Sequence, residues 1–324
     1  MTKKLFLAVA FILASSLCAY ADKATESPSE KEYTVLDFDT LWDFNQPAAT
    51  RSRFNEFLAR ADKQADLSYY LQLQTQIART YGLQQMFDSA YQLLDEVDSQ
   101  LSDAPAIVKV RYLLERGRTI NSSGNPEKSL PLFIEAFELA DTLGADFYAI
   151  DAAHMVAIVA DTRDERMKWS RMGIEIAEKS SDKRARGWLG SIYNNVGWDY
   201  HDNGEYEQAL EMFEKALAAR IESGEEERAD IARWCVARAY RSLGRVDEAL
   251  DIQLALDEKY RQSGHQDGYV WEELGELYLL KKQEDKATEY FAKAFGALSQ
   301  IQWLVDDQPD RLARLKKLGK VNDN

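Results

Sequence analysis

A sparse pattern of large and small residues returns six times along this chain, at intervals of 38 to 40 residues, and no other feature restricts the fold so strongly. The last copy is the clearest: Trp271, Leu274, Gly275 and Tyr278, then Ala287, Phe291 and Ala294. The position of Gly275 is small in every copy, as Ala78, Gly117, Ala157, Gly197 and Ala237. Three residues on stand Tyr81, Ile120, Ala160, Tyr200, Tyr240 and Tyr278. A second helix carries Ala90, Ser129, Trp169, Ala209, Ala249 and Ala287, and four residues later Leu94, Phe133, Gly173, Phe213, Gln253 and Phe291. Spacings of 3, 4 and 7 place such residues on one stripe of a helix. Each copy therefore reads as two antiparallel helices, A and B, whose small residues let them approach closely.

Glycine marks the turns. Gly124, Gly204 and Gly244 follow helix A in repeats two, four and five, and Gly144, Gly224 and Gly264 follow helix B in the same repeats. A left-handed residue closing a helix is most easily glycine. Repeat three departs most, with Trp169 at a small position and Gly173 at a large one. The two are four apart on one helix, so the exchange is expected to keep the packed volume.

These residues resemble the tetratricopeptide repeat over 71–301, most strongly at 190–223 and 268–301. The usual period of that family is about 34, so this is a long-period version. The resemblance implies an all-α, right-handed superhelical solenoid of six helix pairs, at 71–104, 110–143, 150–183, 190–223, 230–263 and 268–301, with a capping helix at each end. It also implies a surface that holds proteins or peptides.

The ends are different objects. Lys3 and Lys4 precede an apolar run from Leu5 to Leu17, and Ala19-Tyr20-Ala21 supplies an A-x-A cleavage pattern. Residues 1–21 read as a secretory signal peptide, too short for a membrane span. Cys18 suggests a bacterial lipoprotein, but Ser15-Ser16-Leu17 before it fits that signal poorly. Residues 22–45 are expected to be a polar tether and entry segment. A capping helix is expected within 46–70, with Asn45 as its N-cap, and a second cap in 302–324, opening near Asp306 or Asp307 and presenting Leu312, Leu315 and Leu318.

The 324-residue chain carries a formal net charge of −15, and loss of Lys3 and Lys4 makes it more negative. Such a chain is a poor ligand for nucleic acid or anionic lipid. Only Cys235 would remain after cleavage, so no intramolecular disulfide is expected. There is no H-E-x-x-H, G-x-S-x-G, C-x-x-C or Walker loop. The expectation is a protein without catalysis, cofactor or metal. Asp151, His154, Asp161 and His201 are the residues nearest to a metal set, with Asp161 and His201 in one register of their A helices, but adjacent helices stand about 10 Å apart.

In the resembled family the A helices line the ligand face. Angles of 100° per residue put Gln72, Thr75 and Arg79; Arg111, Arg118 and Asn121; Ser191, Asn194, Trp198 and His201; and Trp234, Arg238 and Arg241 opposite the packing stripe. Asn194, Trp198, His201, Trp234, Arg238, Arg241, Arg79 and Arg118 are the candidate partner-binding residues. Trp and Arg anchor interfaces through apolar contact and bidentate carboxylate recognition. The alternative is internal: the tryptophans fill gaps between helices, and the arginines pair with acids such as Glu115 and Asp151. The family's Lys and Asn carboxylate clamp is not reproduced, since Arg79 stands where Asn is expected. The function implied is a non-catalytic scaffold of the bacterial cell envelope, periplasmic or secreted, holding an acidic segment with an apolar anchor. A self-associating envelope component is the alternative.

Overall fold

The computed structural model describes residues 37–322. The signal peptide, its cleavage site and most of the expected tether lie outside the described residues. Among the described residues all regular structure is helical, and no helix is long and apolar enough to cross a membrane. The chain divides into two compact units, one ending at Trp188 and one beginning at Leu189.

In the first unit a helical turn, Phe38–Leu41, leads to α1 (Pro47–Arg60). Three hairpins follow: α2 (Leu67–Leu83) with α3 (Phe87–Asp98), α4 (Ala106–Ser122) with α5 (Pro126–Thr142), and α6 (Asp146–Val159) with α7 (Arg163–Lys179). A short helix, α8 (Lys183–Arg186), ends the unit. The second unit holds α9 (Leu189–Asp202) with α10 (Tyr206–Glu222), α11 (Glu226–Ser242) with α12 (Val246–Ser263), and α13 (Gly268–Leu280) with α14 (Glu284–Leu298). It closes with α15 (Gln302–Asp307) and α16 (Pro309–Leu318).

The small-to-large register is the geometry of each hairpin. A Cβ placed on Gly117, Gly197 or Gly275 would lie 2.5, 2.5 or 2.7 Å from the ring of Phe133, Phe213 or Phe291. All three rings are buried. Where helix A carries alanine, the matching residue of helix B is smaller or less rigid: Leu94 for Ala78, Gln253 for Ala237, Gly173 for Ala157. The six turn glycines all have positive φ. Gln85 and Lys282 occupy the same turn in repeats one and six, with φ of 58° and 59°.

Four expectations are corrected. The entry segment is not a tether where it is described, because Phe38 and Trp42 are buried against Phe54 of α1. Asn45 is not the cap of α1: that position is Gln46, without a side-chain bond, and Pro47 opens the helix. In repeat three, α6 ends at Val159 and Asp161 is exposed beyond it, so Asp161 does not share the register of His201. Thr162 caps α7 through the amide of Glu165, which starts the next helix without a glycine turn. The C-terminal cap is two helices, with Gln308 rather than Asp306 or Asp307 before Pro309. Its Leu312 and Leu315 are buried, and Leu318 is half-buried. Trp169 is half-buried and meets Phe137 of the preceding B helix edge-on at 5.1 Å, so its bulk is used between repeats.

Candidate functional site

The A helices of the second unit bring the predicted residues together. Trp198 of α9 and Trp234 of α11 lie 6.1 Å apart, ring centre to ring centre. Trp198 also meets Phe213 and His201 edge-on, at 5.2 and 5.1 Å. It is therefore partly a core residue, whereas Trp234 donates its indole N–H to the Tyr269 carbonyl of α13 at 3.2 Å. Asn194, one turn before Trp198, is buried. Its Oδ1 accepts from the Cys235 thiol at 3.4 Å, while its Nδ2 has no partner among the described residues. The Tyr269 hydroxyl is buried in the same condition. Burial pushes the Cys235 thiol up to about 12, so it stays protonated.

The charged residues of this face are engaged with one another. Arg241 grips Glu273 of α13 with two bonds of 2.7 and 2.8 Å. Arg238 reaches the same carboxylate at 3.3 Å and donates to the Ser242 hydroxyl at 2.7 Å. His201 Nε2 lies 2.9 Å from that hydroxyl. Glu273 is 4% exposed and was absent from the sequence-derived set. In the same unit, α10, α11 and α12 leave a cleft of about 510 Å³ lined by Leu217, Val236 and Leu256. Its rim, Glu226, Asp230, Arg233 and Lys259, is paired internally, so its charges cancel.

The first unit repeats the device. Arg79 meets Glu115 at 3.3 Å. Arg118 donates to Glu115 at 2.8 Å and also pairs with Asp151. Arg79 and Arg118 thus follow the internal alternative. The signal was in the sequence: Arg79 and Arg238 each follow the small position of one repeat, and Glu115 and Glu273 stand two residues before the small position of the next. His154 is held down to about 4 by burial, with Arg118 adding to the effect and Asp151 opposing it.

Arg111, another residue of the predicted A-helix face, holds a partner that sequence reasoning missed. Its guanidinium grips Asp39 of the entry turn with bonds of 2.6 and 2.7 Å and donates to the Tyr148 hydroxyl at 2.6 Å. Arg184 of α8 reaches Asp39 at 3.3 Å. Burial works against the Asp39 charge, but Arg111 and Arg184 outweigh it and hold the carboxyl below its usual value. Trp42 donates to Gln76 Oε1 at 3.0 Å and stacks on Phe44 at 4.7 Å, and the Arg79 guanidinium lies over both rings.

Stacked helical hairpins with a shared small-to-large register define a helical-repeat protein. Residues 189–223 and 269–297 each match a tetratricopeptide repeat model. Both of these segments thus belong to the tetratricopeptide repeat family. No curated protein sequence matches the chain significantly. Among solved structures it is similar to the apo form of RapI, at 16% identity and a TM-score of 0.66, over 84% of this chain and 75% of that one. It is also similar to a signal-transduction ATPase with a tetratricopeptide repeat sensor from Pyrococcus horikoshii, at 15% identity and a TM-score of 0.65, over 86% of this chain and 44% of that one. Aspartyl phosphate phosphatase F from Bacillus subtilis follows at 13% identity and a TM-score of 0.52, over 80% of this chain and 73% of that one. At these identities the likeness is one of fold.

Proposed function

We propose that this chain is a non-catalytic scaffold of the bacterial cell envelope that holds a protein or peptide segment against the A helices of its second unit. The observation that carries this reading is the Trp198–Trp234 pair, half-buried at 6.1 Å, with the buried Asn194 Nδ2 one turn away and without a partner among the described residues. A buried donor without a partner is costly unless a ligand or water meets it. An indole pair gives a segment an apolar seat, and an amide beside it gives an extended backbone a hydrogen bond. The repeat architecture supports the same reading, because solenoids present long surfaces to partners.

Export rests on the sequence alone: the lysines, the apolar run and Ala19-Tyr20-Ala21. The partner's acidic character is the weaker half of the sequence expectation, because Glu273 already neutralises much of the charge of Arg238 and Arg241. An apolar anchor is the better-supported requirement.

The test compares mature chain and its Trp234→Ala variant as baits in an envelope extract, followed by titration of the captured partner against tryptophan fluorescence. Trp234 is the residue to change, because Trp198 also supports Phe213. A partner held by the parent and lost by a variant of unchanged helicity carries the proposal. Equal capture by both sinks it, and ligand-independent oligomers would favour self-association instead.

A further inference from the structure

The Asp39 clasp has the chemistry of a ligand in a receptor. Arg111 of α4 and Arg184 of α8 converge on one carboxylate that belongs to none of the repeat helices, and Tyr148 of α6 accepts a bond from the Arg111 guanidinium beside it. Arg111 is 4% exposed, and its bidentate bond goes to Asp39 alone. A buried guanidinium needs such a carboxylate, since an uncompensated buried charge is strongly destabilising. The rest of the segment is held by side chains too. Phe38 lies under the Arg111 guanidinium at 5.0 Å and meets Tyr69 edge-on at 5.3 Å. Trp42 is fixed by Gln76 and covered by Arg79. Its backbone–backbone bonds stay local, from Thr40 to Asp37 and from Gln46 to Asp43, and beyond them the Thr50 hydroxyl of α1 accepts from the Asp43 amide and donates to its carbonyl, each at 3.1 Å.

We infer that the A-helix face of the first unit is a recognition site for a linear segment bearing an aromatic residue, an adjacent acid and a second aromatic three residues on, and that residues 37–44 occupy this site in cis. Phe38, Asp39 and Trp42 have that spacing. The occupant is this chain's own entry segment, and a partner with the same pattern would displace it. Two features favour exchange over a fixed wall. The segment adds only one helical turn, outside the hairpin register of the repeats. Its anchors on the repeat helices are point contacts of side chains, which another chain could reproduce without rebuilding a helix. The site belongs to the first unit and does not depend on the reading of Trp198 and Trp234.

The probe is a fluorescent synthetic peptide covering residues 37–46, added to the full chain and to a full chain in which Asp39→Ala and Trp42→Ala weaken the cis segment. The weakened chain should bind the peptide at least tenfold more tightly than the parent. Arg111→Gln in the weakened background, or Asn at the Asp39 position of the peptide, should return binding to the parent level. Failure of a still-helical weakened chain to bind would overturn the inference. A second measurement covers a weakened chain that does not fold. In the parent, hydrogen exchange of the amides of residues 38–44 should be faster than that of α4 and should rise several-fold with excess peptide. Exchange only together with α4, unmoved by peptide, would make the segment a fixed part of the core and would overturn the inference as well. Concentration-dependent dimers with the segment exchanged between copies would support the site and identify a second copy as a partner.

Discussion

Arg111 and Asp39 lie 72 residues apart in the chain and meet through two hydrogen bonds of 2.6 and 2.7 Å, with the arginine buried at 4% exposure. Removing one partner of such a pair typically costs about 3–5 kcal/mol, because the other charge stays behind without compensation. Asp39→Asn should therefore lower the melting temperature of the chain by several degrees at pH 7. The Asp39 carboxyl has a depressed folded pKa, so its stabilisation is present above the usual carboxylate pKa and is lost as pH falls through the folded value. The difference between parent and Asp39→Asn should shrink at strongly acid pH, and melts at pH 7 and pH 2 check it.

Gly275 sits where Phe291 leaves no room. Gly275→Leu should destabilise far more than Arg238→Ala, since overpacking costs about 1–3 kcal/mol or more and Arg241 still holds Glu273 when Arg238 is removed. Thermal melts of the two variants decide this. Equal midpoints would contradict the hairpin register.

Gln253 occupies, in repeat five, the position that Phe133, Phe213 and Phe291 occupy elsewhere. It is fully buried, and neither atom of its amide has a partner among the described residues. Gln253→Met keeps length and removes two unsatisfied polar atoms, each of which costs about 1–3 kcal/mol when buried. The variant should be more stable than the parent by about 1 kcal/mol or more, read as a shift of the urea midpoint. An unchanged midpoint would mean that the amide is satisfied by ordered water.

Lys282 takes the left-handed conformation that Gly204 and Gly244 take at the same turn. A side chain in that region costs about 1 kcal/mol, partly offset by the greater freedom of unfolded glycine. Lys282→Gly should leave the fold unchanged and raise its melting temperature by a degree or two. The opposite change, Gly244→Lys, should lower it.

His154 gives the chain a pH-dependent stability. Its folded pKa is near 4, below the ordinary 6.5, so the unfolded chain takes the proton first as pH falls. The contribution is complete above about pH 6.5 and declines between there and 4, with a slope of at most about 1.4 kcal/mol per pH unit. Asp151 on its own helix and Arg118 from α4 are the charges that face it. His154→Asn should remove this slope from urea denaturation curves taken across that window, leaving only the carboxylate effects near pH 4.

The sequence alone determined the repeating hairpin. Gly275 with Phe291, and the glycines at 204, 224, 244 and 264, act over a few turns of chain, so their spacing is readable without coordinates. The sequence also placed Trp198 and Trp234 on one face, because helical angle is a local property. What it did not determine was the use of that face. Arg238 and Glu273, or Arg79 and Glu115, become partners only when two hairpins stack, although the recurrence of Arg after one small position and Glu before the next carried a trace of it. The entry segment was the deepest miss. Phe38, Asp39 and Trp42 lie in a short stretch with no period, and their burial depends on α1 together with a receptor assembled from α2, α4, α6 and α8. Only the tertiary structure could decide that, since a contact spanning 72 residues leaves no mark in the local pattern of either partner.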